Sequence, residues 1–161
     1  MPLFYLMFGI MEFGIAMMFQ GMLEGATIDT SRLGKTGYSG TNMSREQTLR
    51  AEVKARTHNM LDVTKIVINS KSYTNFTNIK KPEPWTDTNR NGRPDPGEYT
   101  DINGNGKWDS DMGKAGYGGA RDIVIYTVTY PWQVMTPVIS QFFTNGTWPL
   151  SAVAVVKNEP Y

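Results

Sequence analysis

Residues 87–98 read D-T-N-R-N-G-R-P-D-P-G-E, with oxygen-bearing side chains at alternate places. Asp87, Asn89, Asn91, Asp95 and Glu98 fall at positions 1, 3, 5, 9 and 12 of an EF-hand-type loop, and Gly92 falls at position 6. The pattern has a physical cause. Hard Ca²⁺ takes six to eight oxygens, alternate residues of a tight loop turn theirs inward, and glycine accepts the sharp bend. Position 7 contributes a main-chain oxygen, so the carbonyl of Arg93 is the expected ligand whatever its side chain. Glu98 is expected to close the shell with both carboxylate oxygens.

A second stretch, D-I-N-G-N-G-K-W-D-S-D at 101–111, repeats the arrangement with Asp101, Asn103, Asn105 and Asp109, and with Lys107 placed for the carbonyl. Its twelfth position is Met112, so this loop must close with Asp111 or borrow an oxygen from elsewhere. Asn, Asp and Gly are also turn formers, but turn chemistry alone does not call for two tandem copies in register. Two calcium ions are therefore expected. Mg²⁺ is disfavoured because it prefers a small octahedral shell that retains water.

The flanks lack the long helices of a regulatory EF-hand pair. Pro82 and Pro84 precede the loops and a glycine-rich run, 113–119, follows them. The ions are thus expected to staple a long insert, about 82–119, that has little apolar content of its own. Trp85, Tyr99, Trp108 and Tyr117 surround the loops, and they either pack the hinges or offer contacts to a sugar.

Other chemistries are poorly supplied. The chain has no cysteine and a single histidine, which excludes a structural zinc site, a disulfide framework and thiol catalysis. No G-x-S-x-G or phosphate-binding loop is present, and six of the 15 acids are committed to the calcium pattern, so an enzyme is not expected. With 16 Lys+Arg against 15 Asp+Glu, the 161-residue chain has no basic signature for nucleic acid.

The elements that position the insert begin with an apolar run, PLFYLMFGIMEFGIAMMF at 2–19. About twenty such residues rising 1.5 Å each cross a bilayer core of about 30 Å. The run is apolar on all sides, which suits lipid or a fully buried setting. A cleaved signal peptide is disfavoured, since no basic stretch precedes the run and no small-x-small site ends it. Glu12 is the exception within it. A carboxylate there is costly and is expected to be paired, functional, or close to an interface. Gly21 and Gly25 have the GxxxG spacing that lets helices approach closely. From Gln20 the pattern turns amphipathic through Met22, Leu23, Ala26, Ile28 and Leu33, so the helix is expected to span 1–33, with Gly34, Gly37 and Gly40 ending it.

The remaining residues, 34–161, form the predicted globular head. Ser44-Arg-Glu-Gln47 is a capping box opening a second helix through Leu49 and Val53. Residues 64–72, 122–130 and 150–156 read as strands, and Thr136-Pro137 as the start of a short apolar helix running to Asn145-Gly146. The predicted class is α+β, with a small antiparallel sheet after the helices.

Several stretches together resemble one family, the TadE-like pseudopilins of the tight-adherence (Tad/Flp) pilus, relatives of the type IV pilins. They are MPLFYLMFGIMEFG at 1–14, LRAEVKARTHNMLDVTKIVINSKSY at 49–73, TVTYPWQVMTPVISQFF at 127–143 and LSAVAVVKNEPY at 150–161. The resemblance implies a long helix held in the inner membrane before assembly and in a filament core afterwards. It also implies an outward-facing α+β head, other pilin subunits as partners in a homo-oligomeric filament, an extracellular location and no active site. Two features depart from the family. Its precursors carry a basic leader, a peptidase site after Gly and a Glu soon after, all upstream of the segment matched here, and Glu12 belongs instead to the downstream FGxxEFG stretch. Many relatives carry a Cys pair where this chain has Val53 and Val63, so calcium is expected to replace that staple in part. The competing expectation is a membrane-anchored or secreted calcium-dependent adhesion module.

Overall fold

The structure, a computed structural model, describes residues 2–35 and 43–160. It is α+β: a long apolar amino-terminal helix and a small antiparallel sheet of four strands. In chain order the elements are α1 (Pro2–Lys35), α2 (Arg45–Arg56), β1 (Val67–Tyr73), β2 (Lys114–Ala115), β3 (Ile123–Gln133), α3 (Pro137–Ser140) and β4 (Thr147–Lys157). The strand order across the sheet is β2-β1-β3-β4. The glycine-rich ending proposed around Gly37 and Gly40 lies outside the described residues.

The chain divides into two compact units, Met1–Ile68 with Tyr126–Ala154, and Asn69–Ile125 with Val155–Tyr161. In the first, the carboxyl-terminal part of α1 buries a stripe at helical spacing: Ala16, Phe19, Leu23 and Ala26. Leu49 and Val53 of α2 join it, with Leu61, Ile66, Val128, Tyr130, Leu150 and Ala152. Along β4 the buried residues alternate as a strand with one covered face must, Leu150, Ala152 and Ala154 facing in and Ser151 and Val153 facing out. Fully burying a side chain such as Leu23 or Phe19 contributes about 1.5–3 kcal/mol.

Sequence and structure part company at a few residues of this unit. Ile28, assigned to the apolar face, is exposed, while Thr27 and Thr30 take the buried positions beside Ala26. Thr27 manages this by donating its hydroxyl to the Leu23 carbonyl at 2.7 Å. The capping box forms as expected: Ser44 Oγ accepts from Gln47 N–H and the Gln47 side chain accepts from Ser44 N–H. The short helix after Thr136 is only one turn, and Phe142, expected on its apolar face, is exposed.

The second unit carries the acidic insert. β2 pairs antiparallel with β1, Lys71 opposite Ala115 and Ser72 opposite Lys114. An isolated antiparallel bridge joins Trp85 to Tyr99, with Thr86 N–H on the Glu98 carbonyl (2.8 Å) and Thr100 N–H on the Pro84 carbonyl (2.9 Å). These bonds clamp the entrance and exit of the first loop.

Candidate metal centre

In the first loop the carboxylate of Asp87 receives two main-chain donors, Asn91 N–H on Oδ1 (3.0 Å) and Gly92 N–H on Oδ2 (2.9 Å). Asn89 Oδ1 accepts from Asn91 N–H at 3.0 Å and Asn91 Oδ1 accepts from Arg93 N–H at 2.8 Å. These i to i+2 bonds are local turns that use one lone pair of each amide oxygen and leave the other for a further partner. The amide nitrogens of Asn89 and Asn91 both donate to Asp95 Oδ2, at 2.7 and 2.6 Å. Glu98 bends back over the loop: Oε1 accepts from Thr88 N–H (3.0 Å) and Asn89 N–H (3.2 Å), and Oε2 from Asp95 N–H (3.4 Å).

The second loop repeats this network and adds one bond, from Gly104 N–H, that has no counterpart in the first. Asp101 accepts from Gly104, Asn105 and Gly106 N–H at 2.7, 3.2 and 2.7 Å. Asn103 and Asn105 accept from Asn105 N–H (3.1 Å) and Lys107 N–H (2.8 Å), and both donate to Asp109 Oδ2, at 2.7 and 2.6 Å. The place held by Glu98 in the first loop is taken by Glu83. Its Oε1 accepts from Ile102 N–H (2.8 Å) and Asn103 N–H (3.2 Å), and its Oε2 from Asp109 N–H (3.1 Å). Thr88, Asn89 and Asp95 in one loop thus correspond to Ile102, Asn103 and Asp109 in the other.

Glu83 is 0% exposed. Its main chain is fixed by Glu83 N–H on the Asp109 carbonyl (2.9 Å) and by Trp108 Nε1–H on the Glu83 carbonyl (2.9 Å). Asp111, one of the two closures weighed for this loop, is engaged elsewhere. It binds Lys71 Nζ at 2.7 Å, Tyr73 Oη at 2.9 and 3.1 Å, and Gly113 N–H at 3.2 Å. Sequence reasoning missed Glu83 because it lies before the first loop; the one signal was the absent acid at Met112.

Charge follows this geometry. Amide donation from Asn89 and Asn91 holds the Asp95 carboxyl below its ordinary value, and Asn103 and Asn105 do the same for Asp109, helped by the Lys71 charge. Both acids are therefore fully ionised at neutral pH. Burial pushes Asp111 up, but Lys71, Tyr73 and the Gly113 N–H together outweigh it and hold the group low.

The donor set in each loop is all oxygen: carboxylates, Asn amides and a main-chain carbonyl, which is the chemistry a hard cation prefers. Among the described residues, no three His, Asp or Glu side chains come together. Each loop adds two Asn amide oxygens to its carboxylates. The aromatics serve the insert itself. Trp108 bonds Glu83, Tyr99 Oη–H donates to the Gly106 carbonyl at 2.9 Å, and Trp85 pairs with Tyr99.

The helix residues singled out from sequence lie in the first unit. Glu12 is 7% exposed, and its carboxylate accepts the main-chain N–H groups of Met135 and Thr136, the latter at 3.0 Å. The buried acid is thereby paired within its own chain. Gly25 faces the Arg56 guanidinium of α2, whereas a Cβ on Gly21 would meet nothing. Residues 3–18 of α1 otherwise leave a large apolar face open, including Leu3, Phe4, Leu6, Phe8, Ile10 and Met11. α1 is long and apolar enough to cross a membrane. Compared with protein-family models, curated proteins and solved structures, the chain matches none.

Proposed function

We propose that the chain is a structural subunit, a pilin or minor pilin, of an extracellular Tad-type filament that serves surface attachment. α1 anchors it in the inner membrane before assembly and packs against the helices of other copies afterwards. The observation that carries this reading is the open apolar face of α1 on a helix whose other end is bound into a folded core. So much contiguous apolar surface exceeds what a soluble monomer normally leaves uncovered. Lipid and neighbouring helices both cover it. Glu12 does not oppose insertion as a bare charge, because two N–H donors already hold it. The test is Ile10→Lys in producing cells: filaments visible by electron microscopy should be lost while the purified chain in detergent keeps its melting temperature. Normal filaments from that variant would refute the assembly role.

In the same reading the insert binds two calcium ions, held by Asp87, Asn89, Asn91, Asp95, Glu98 and the Arg93 carbonyl in one loop. In the other they are Asp101, Asn103, Asn105, Asp109, the Lys107 carbonyl and, in place of Asp111, Glu83. Two loops built on one hydrogen-bond plan support this assignment. Bound calcium would draw the carboxylates of each loop together and neutralise their repulsion. Titration calorimetry should show two Ca²⁺ sites, one lost in Asp87→Ala and the other in Asp101→Ala. A melting temperature indifferent to EGTA would count against a stapling role.

A further inference from the structure

The insert carries three Asn-Gly pairs, Asn91-Gly92, Asn103-Gly104 and Asn105-Gly106, and a fourth, Asn145-Gly146, lies in the first unit. This dipeptide is the one most prone to spontaneous deamidation, because glycine offers no side chain to hinder attack by its own main-chain nitrogen. The glycine nitrogen attacks the Asn side-chain Cγ, a C–N bond forms, and the Cγ–Nδ2 bond breaks with loss of ammonia. Water then opens the five-membered imide at either carbonyl, leaving Asp or isoaspartate. No oxidant or reductant is needed.

In the insert every one of those nucleophiles is held by a carboxylate. Gly92 N–H lies 2.9 Å from Asp87 Oδ2, Gly104 N–H 2.7 Å from Asp101 Oδ1 and Gly106 N–H 2.7 Å from Asp101 Oδ2. The hold acts twice. The nitrogen cannot turn toward Cγ without breaking a charge-assisted bond, and the adjacent negative charge opposes the loss of its proton. The electrophile is pinned as well, since Asn91 donates to Asp95, and Asn103 and Asn105 both donate to Asp109. Gly146 N–H, by contrast, is held by a neutral carbonyl, that of Phe143, at 3.0 Å.

We infer that Asn91, Asn103 and Asn105 are latched deamidation sites, kept intact by the carboxylates of Asp87 and Asp101 and released to modification when those bonds open. Each conversion to Asp adds a carboxylate to a loop already dense in acid. Each conversion to isoaspartate lengthens the main chain by one methylene and destroys the i to i+2 turn made by that residue. The modification would therefore record how long a loop has stood open.

The experiment uses the full chain in detergent with EGTA, so that the chain's own bonds are read, at mildly alkaline pH. Peptide mass spectrometry follows each of the four pairs over time. In the wild type the three insert sites should convert at least about tenfold more slowly than in guanidinium, as expected for a bond to a charged group. Asp87→Ala should accelerate Asn91 alone, and Asp101→Ala should accelerate Asn103 and Asn105 alone, with Asn145 unchanged in both. Equal native and denatured rates, or no crossed pattern between the variants, would overturn the inference. If Asp87→Ala accelerates all four sites it has unfolded, and isosteric Asp87→Asn decides: acceleration confined to Asn91 supports the latch, and none refutes it.

Discussion

At the scale of single residues, Glu83 and Arg90 show how a loop's needs override its sequence pattern. Glu83→Gln keeps the shape but leaves one weaker acceptor where a carboxylate served three N–H donors. It should lower the stability of the calcium-free chain by about 1–3 kcal/mol. In calorimetry it should also abolish the second Ca²⁺ site while sparing the first; Asp111→Asn should leave both. Arg90 sits at φ 61°, where its counterpart in the second loop is Gly104 at 78°. The left-handed region costs a residue with a Cβ about 1–2 kcal/mol. Arg90→Gly should relieve part of that, raising stability by roughly 0.5 kcal/mol after the added chain entropy of glycine is subtracted, read as a higher melting temperature. Most of the residues that build the two loop networks were legible because Asp, Asn and Gly recur at fixed spacing. Glu83 was not, because spacing sees only residues within a loop.

Among the elements, β1 is tied to the end of the insert through Tyr73 and Asp111. Burial, and then the hydrogen bond and charge of Asp111, push the Tyr73 phenol up to about 12. A raised value on an acid that is neutral when protonated stabilises the fold fully below the ordinary value of about 10. That contribution is lost as pH rises from there toward 12. Difference absorbance between wild type and Tyr73→Phe should therefore place this phenolate well after that of the exposed tyrosines, and alkaline melting should fall more steeply in the wild type. Gly113 belongs to the same contact, since a Cβ there would lie 2.6 Å from the Tyr73 ring. At this scale the sequence is a good guide where local rules decide. The capping box at Ser44 and the β-branched run of β3 are where they were expected. It fails where tertiary packing decides, as in the single turn of α3, whose apolar residues had suggested more.

For the molecule as a whole, α1 has two jobs along its length. Its carboxyl-terminal part supplies the core, so Leu23→Ala should cost about 2–5 kcal/mol of folding stability, whereas Ile28→Ala, on the exposed side, should cost under about 0.5 kcal/mol. Denaturation in detergent would separate the two. Its amino-terminal part leaves most of its apolar side chains exposed, and its apolar character is plain from composition alone, whereas the internal pairing of Glu12 depends on residues 135 and 136 and is invisible to any local pattern. The insert has an architecture of the same long-range kind. Because Glu83 comes before one repeat yet completes the other, the pair is written like nested brackets. The second repeat cannot be moved as a free cassette: a peptide begun at 101 lacks its closing acid, and one begun at 83 must carry its neighbour along.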